Sequence, residues 1–239
     1  MKAVTSRDVG GLSDQVAQYV VEHIRESGLA AGDKVPSELR TSAHLQISRG
    51  IVREAYRSLR AAGILEIANG SAPRVGQLSN KALVQILEHG LSTQQASIEH
   101  ILDLRSAIEI RAAELAAANR QTEHITALES ETAGFDEAKR DVDHWVEADV
   151  RFHSIIGDAS GNPFFRILSA ALRESLAMSM RTGFDQRRSP REIDQMVATH
   201  RRVAKAIITG DRAGAKKHMI KHFAEARKAI LGARGAKRV

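Results

Sequence analysis

Residues 36–76 read PSELRTSAHLQISRGIVREAYRSLRAAGILEIANGSAPRVG, and the punctuation of this stretch decides how the N-terminal part of the chain folds. Ser37 and Ser48 each stand where a side-chain oxygen can accept from the orphan N–H groups of a helix's first turn. They open two helices, one running from Ser37 to about Leu45 and a second of about 14 residues after Ser48. Ile47 and Val52 are spaced for a hydrophobic staple at the second helix, and Gly63 is placed to end it in the left-handed conformation. At ~100° per residue, Arg49, Arg53, Arg57 and Arg60 fall on one stripe, while Val52, Ala55, Leu59 and Ala62 fall on another. One face packs and the other is cationic. Ile64, Leu65, Ile67 and Val75 then flank Asn69-Gly70, the turn signal of a β-hairpin.

A basic helix of this length suits a major groove, because arginine can fork onto phosphates and onto the O6/N7 edge of guanine. Gly50 would let the helix N-terminus approach the nucleic-acid backbone. An arginine stripe alone fits a solvated surface equally well. A capped short helix, a tight turn, a capped basic helix and a hairpin in that order spell a winged helix-turn-helix. Ser13 to Gly28 reads as a bracing helix with Val16, Tyr19, Val20 and Ile24 on one face, and Asp33 to Pro36 as the turn that follows.

The run PSE, then ISR…VREA.RSL, then GIL and NG is similar to the N-terminal domain of GntR-family bacterial transcription regulators, over nearly all of residues 10–76. The resemblance implies that Ser37, Arg40, Ser48, Arg49, Gly50, Arg53, Arg57 and Gly70 meet duplex DNA. Two departures stand out. Leu39-Arg40-Thr41 replaces the family's Arg-Glu-Leu, which moves the first-helix arginine by one place, and the wing tip AlaAsnGlySerAla lacks basic residues.

With 239 residues the chain has length for two domains, and 4% aromatic residues argue for helices rather than a β-sandwich. There is no cysteine, so disulfides and thiolate metal sites are excluded, in keeping with a reducing cytoplasm. No apolar run approaches the ~18 residues of a membrane span. The net charge of +6 is uneven: residues 1–77 sum to +2, residues 78–200 to −6 and residues 201–239 to +10. DNA binding therefore rests on the local arginine stripe. The glycine-rich basic end, Gly232 to Val239, reads as a solvated tail.

The expected architecture is mostly α: a winged helix-turn-helix over 1–77 with a small hairpin wing, then an antiparallel all-α bundle over 78–239. Seven helices are expected after the wing, at roughly 79–89, 97–119, 122–139, 143–160, 163–182, 190–209 and 211–231. Thr122 and Asp211 are capping types, Ser189-Pro190 with Glu192 forms a capping box, and Gly161-Asn162-Pro163 separates two helices.

Asp149 and His153 lie four apart and project from one helix face, with His200 and His222 on two later helices. One carboxylate and three imidazoles would suit Zn, Ni, Mn or Fe(II), although ten histidines in a helical chain also produce such spacings by chance. His218 competes with His222. His23, His44, His89, His100, His124 and His144 read as surface or capping residues, and Trp145 as a core anchor.

DLRSAIEIRAAELAA, ADVRFHSIIGDASGNP and THRRVAKAIITGDRAGAKKHMIKHF are similar to the FCD effector domain of the FadR branch of that family, over about residues 95–225. The resemblance implies a divalent metal on Asp149, His153, His200 and His222, and an effector carboxylate held by Arg105, with Arg173 as a second candidate. The expected protein is a cytoplasmic, homodimeric transcription regulator, most simply a repressor. It would bind a pseudo-palindromic operator in response to a small organic acid. A metal sensor without an organic effector, a metal-dependent enzyme and an architectural DNA binder are the rivals. No glutamate beside the ligands forms a recognisable general-base motif, which disfavours the enzyme.

Overall fold

A computed structural model describes residues 11–68, 71–183 and 190–235, with side chains except at 177–183, 190 and 229–235. The chain forms two compact units that divide between Ala82 and Leu83, rather than at 77/78.

The N-terminal unit comprises α1 (Leu12–Glu26), α2 (Glu38–Leu45), α3 (Arg49–Ala61), β1 (Leu65–Glu66) and β2 (Arg74–Val75). Ser37 accepts from Arg40 N at 3.3 Å and Ser48 from Ile51 N at 3.5 Å, so both expected caps form. Gln46 takes the left-handed conformation between α2 and α3, and Gly63 does so after α3. Val16, Val20, Val35, Val52, Ala55, Tyr56, Leu59 and Leu65 make the core. Ala62 departs from the expected packing stripe, because α3 has ended by then and the residue is exposed. Tyr56 is fully buried in that core; its hydroxyl donates to Pro36 O at 2.6 Å and meets Thr41 Oγ1 at 2.8 Å, which ties α2 to α3.

The wing is antiparallel, with Leu65 opposite Val75 and Glu66 opposite Arg74. Its ladder closes at Glu66 and Arg74, so the loop is longer than a two-residue Asn-Gly turn. Asn69 and Gly70, and with them the expected Gly70 contact, lie outside the described residues. Lys34 bridges to Arg74, so the segment before α2 adds a third pairing that sequence did not suggest.

The C-terminal unit contains α4 (Lys81–Ser92), α5 (Ile98–Asn119), α6 (Thr122–Ala138), α7 (Val142–Ala159), α8 (Pro163–Gly183), α9 (Pro190–Thr209) and α10 (Arg212–Gly235). Helix α5 is central and packs against α7, α8, α9 and α10. Its alanine face, Ala112, Ala113, Ala116 and Ala117, is fully buried and lets these helices approach closely. Phe135, Trp145, Phe152 and Met219 fill the space around it.

Helix boundaries follow local chemistry. Asp211 accepts from Gly214 N at 2.8 Å to start α10. Thr122 is the first residue of α6 rather than its cap, and His124 Nδ1 accepts from Gln121 N at 3.0 Å in that role. Ser189 lies outside the described residues, leaving Pro190 as the first described residue of α9. Helix α10 continues to Gly235, past the expected stop at 231, because no proline follows to end it.

Candidate metal centre and nucleic-acid interface

Helix α7 presents Asp149 and His153 one turn apart, α9 contributes His200 and α10 contributes His222. One ligand nitrogen from each of the three histidines lies within 4.8 Å of the others, and all three side chains are buried. The His200 and His222 ring centres are 4.5 Å apart, and those of His153 and His222 are 5.0 Å apart. Asp149 Oδ1 stands 2.9 Å from His200 Nε2 and 3.8 Å from His153 Nε2. His218, one turn before His222, is outside this group.

The hydrogen bonds show which ring atoms face inward. The Met196 carbonyl can only accept, so His200 Nδ1, 2.8 Å away, carries the proton. His200 Nε2 is then the ring nitrogen on the Asp149 side, 2.9 Å from Asp149 Oδ1. Both ring nitrogens of His153, Nδ1 and Nε2, are buried without a hydrogen-bond partner among the described residues. An orphaned imidazole nitrogen beside a carboxylate and two further imidazoles is a donor set that a divalent first-row metal fits. Burial, followed by the Arg173 guanidinium, pushes His153 down to about 4. Burial and then His200 hold His222 well below its ordinary value. Both therefore offer neutral, metal-competent nitrogens at neutral pH. Burial pushes Asp149 up, but Arg173, His200 and His153 outweigh it and hold the carboxyl well below the usual range.

Two arginines border this cluster. Arg173 donates through Nη1 to the Asp149 carboxylate and, at 3.0 Å, to the Asp149 carbonyl. Its Nε and Nη2, which form one side of the planar fork, are buried without hydrogen-bond partners among the described residues. Arg105 is only 5% exposed, donates from Nε to Glu109 Oε1 at 2.9 Å and lies 5.4 Å from the Phe223 ring centre. Arg105 could instead form a surface ion pair with Asp103 or, at helical spacing, with Glu109. The pair with Glu109 does form, but it is buried, while Asp103 is taken by Arg227. A small cleft opens between Arg105, Trp145, Asp149, Arg173 and Leu176, with about 10 Å³ of room, roughly one water. Trp145 also meets His200 edge-on, so it is both core anchor and cleft wall.

In the N-terminal unit, Arg49, Arg53, Arg57 and Arg60 are all exposed on α3, opposite its buried residues. Arg53 lies 3.4 Å from Glu38 of α2, which limits its swing. Arg40 and Gly50 are exposed, and the two capping serines lie at the N-termini of α2 and α3. Arg74 of the wing is exposed and anchored through Nη1 to Gly32 O at 2.6 Å; it is a basic wing residue that the reading of the tip alone overlooked.

Comparison with known proteins places both units. The profile of bacterial regulatory proteins of the gntR family matches residues 12–75, and the FCD domain profile matches residues 100–225, more than half of the chain. The chain belongs to the GntR family. This GntR protein is 25% identical over 214 residues to the HTH-type transcriptional regulator LutR of Bacillus subtilis, covering 87% of this chain and 96% of LutR. It is 29% identical over 169 residues to the HTH-type transcriptional repressor NanR of Enterobacter sp., covering 69% of this chain and 65% of NanR. A solved GntR structure from Streptococcus agalactiae shares the fold, with a TM-score of 0.68 and 24% identity over 91% of this chain and 99% of that one. The GntR protein is thus a DNA-binding transcription regulator with an FCD effector domain, not an enzyme. Among the described residues, no helix is long and apolar enough to cross a membrane.

The functional residue that sequence reasoning missed is Glu109. It is 2% exposed and touches His153 and both arginines. Its one signal is the four-residue spacing from Arg105, which is common in helices of every kind.

Proposed function

We propose that this GntR protein is a repressor whose FCD domain holds one divalent metal ion on Asp149, His153, His200 and His222, and there senses a small organic acid. The convergence of the three histidines, with Asp149 Oδ1 beside His200 and His153 and the buried His153 Nε2 unpartnered, is the observation that carries the reading. When bound, the ion supplies a Lewis-acid contact for an oxygen of the acid.

The chain's own residues provide the rest of the recognition. Arg173 presents Nε and Nη2 buried and without hydrogen bonds among the described residues, Nη2 being held only by the 3.6 Å ion pair with Glu109 Oε2, and this edge is the pattern that accepts both oxygens of a carboxylate. Arg105 reaches the same cleft with its Nε already held by Glu109. This ordering reverses the priority suggested by sequence and makes Arg173 the principal carboxylate fork. On the DNA side, Arg49, Arg53 and Arg57 meet the major groove, with Ser37, Arg40, Ser48 and Gly50 near the phosphates. A homodimer places two α3 helices about 34 Å apart on a pseudo-palindrome. Acid binding alters DNA affinity only by preferring one arrangement of the regulator, transmitted along the chain between the two units.

Elemental analysis of the purified protein, with operator binding measured with and without a chelator and across hydroxy acids, sugar acids and dicarboxylates, tests the reading. The expected result is one metal per chain and an acid that shifts operator affinity only in the metal-loaded protein. Operator binding that depends on metal but on no acid would instead establish a metal sensor.

A further inference from the structure

Glu109 makes no expected contact with an ion, yet it stands where the metal ligands and the arginines meet. On one side its Oε1 accepts from Arg105 Nε at 2.9 Å. On the other its Oε2 lies 2.5 Å from His153 Nδ1, at an angle poor for a hydrogen bond. Arg173 Nη2 is 3.6 Å from that same oxygen. A carboxylate oxygen and a bare imidazole lone pair would repel each other at 2.5 Å, so the ring proton belongs on Nδ1. That leaves Nε2, the atom facing Asp149, as the free donor.

The same pattern occurs twice in this cluster. Arg173 holds Asp149, which meets His200; Arg105 holds Glu109, which meets His153. In the first chain the carboxylate is itself a proposed ligand. In the second it stands one shell behind the ligand, where a carboxylate orients an imidazole and raises its basicity.

We infer that Glu109 is a positioning residue serving both halves of the site: it fixes His153 with Nε2 toward the ion and holds Arg105 at the cleft. This rests on the metal reading above. The positioning acts through the arginine as well as the histidine, because removing Arg105 frees Glu109 to rotate away from the ring.

The test is a zinc titration of full-length, chelator-stripped protein against a chromophoric competitor. Wild type is compared with Glu109→Gln, Glu109→Ala, Arg105→Ala and the Arg105→Ala/Glu109→Gln double variant. Zinc affinity is expected to fall about tenfold for Glu109→Gln and up to about 100-fold for Glu109→Ala, with the far-UV circular dichroism unchanged. Arg105→Ala is expected to weaken zinc several-fold in the wild-type background and not at all beside Glu109→Gln. Additive losses would overturn the joint role. In zinc-loaded wild type carrying 15N-histidine, long-range 1H–15N correlation should show His153 protonated at Nδ1 and metal-bound at Nε2. This measurement decides the case even if every Glu109 variant fails to fold. Protonation at Nε2, or wild-type affinity in Glu109→Gln, overturns the inference alone. A wild type that takes up no zinc overturns the metal reading together with it.

Discussion

His153 carries the chemistry of this site most directly, and its environment gives its behaviour with pH. Burial, then Arg173, pushes its imidazole from 6.5 to about 4. Between those values the unfolded chain binds a proton that the metal-free fold does not, so stability must fall as pH drops through this window. A shift of this size corresponds to about 3 kcal/mol. Urea titrations of chelated protein from pH 7 to pH 4 should show that loss, and His153→Phe should flatten the profile; an unchanged slope would count against the assignment. Sequence places the loss of metal below about pH 6, where free imidazole protonates. The depressed values of His153 and His222 move proton competition at these two ligands to more acidic pH. The Asp149–His153 pair was readable because four residues make one helical turn. His200 and His222 were candidates on later helices, but spacing cannot specify which helices pack together, so only the resemblance tied them to that pair. Glu109 and the open edge of Arg173 were invisible for the same reason: their meaning depends on α5, α7 and α8 converging.

Among the elements, the recognition helix was the most legible. Its start is fixed by Ser48, its end by Gly63, and its arginines and apolar residues separate at helical period. Arg49→Ala or Arg53→Ala should weaken operator binding by about 1–3 kcal/mol if that residue reads a base. Fluorescence anisotropy on an identified operator measures this, and wild-type affinity would remove the residue from the interface. The close approach of α7 and α8 was not legible. Gly157 lies there without unusual backbone geometry, and a Cβ on it would meet Arg166 Cα at 2.9 Å. Gly157→Ala should therefore cost about 1–3 kcal/mol in chemical denaturation, because backbone rather than a flexible side chain must yield. A neutral substitution would show that the two helices can part without penalty. The ends of α10 and the length of the wing loop were misjudged because a missing stop signal and a longer loop leave little mark in composition.

The whole molecule obeys a reciprocity that the parts do not. If an acid in the FCD unit lowers operator affinity by some factor, operator DNA must lower the acid's affinity by the same factor. Calorimetry with the acid in the presence and absence of operator should return equal couplings; unequal values would mean a third linked species. Bulk charge contributes little at the winged unit, where residues 1–77 sum to only +2. Operator affinity should still fall steeply with salt, since each phosphate neutralised by an arginine adds ~0.9 to the slope.

The cleft has a further consequence. Both of its guanidiniums are already engaged by the chain's own carboxylates, and the space between holds about one water. An acid seated there would compete with these resident anions for the guanidiniums, gaining only the difference between its own grip and theirs. Under the proposed reading Asp149 and Glu109 would act as a tethered antagonist, raising the threshold so that the regulator responds to abundance rather than to traces.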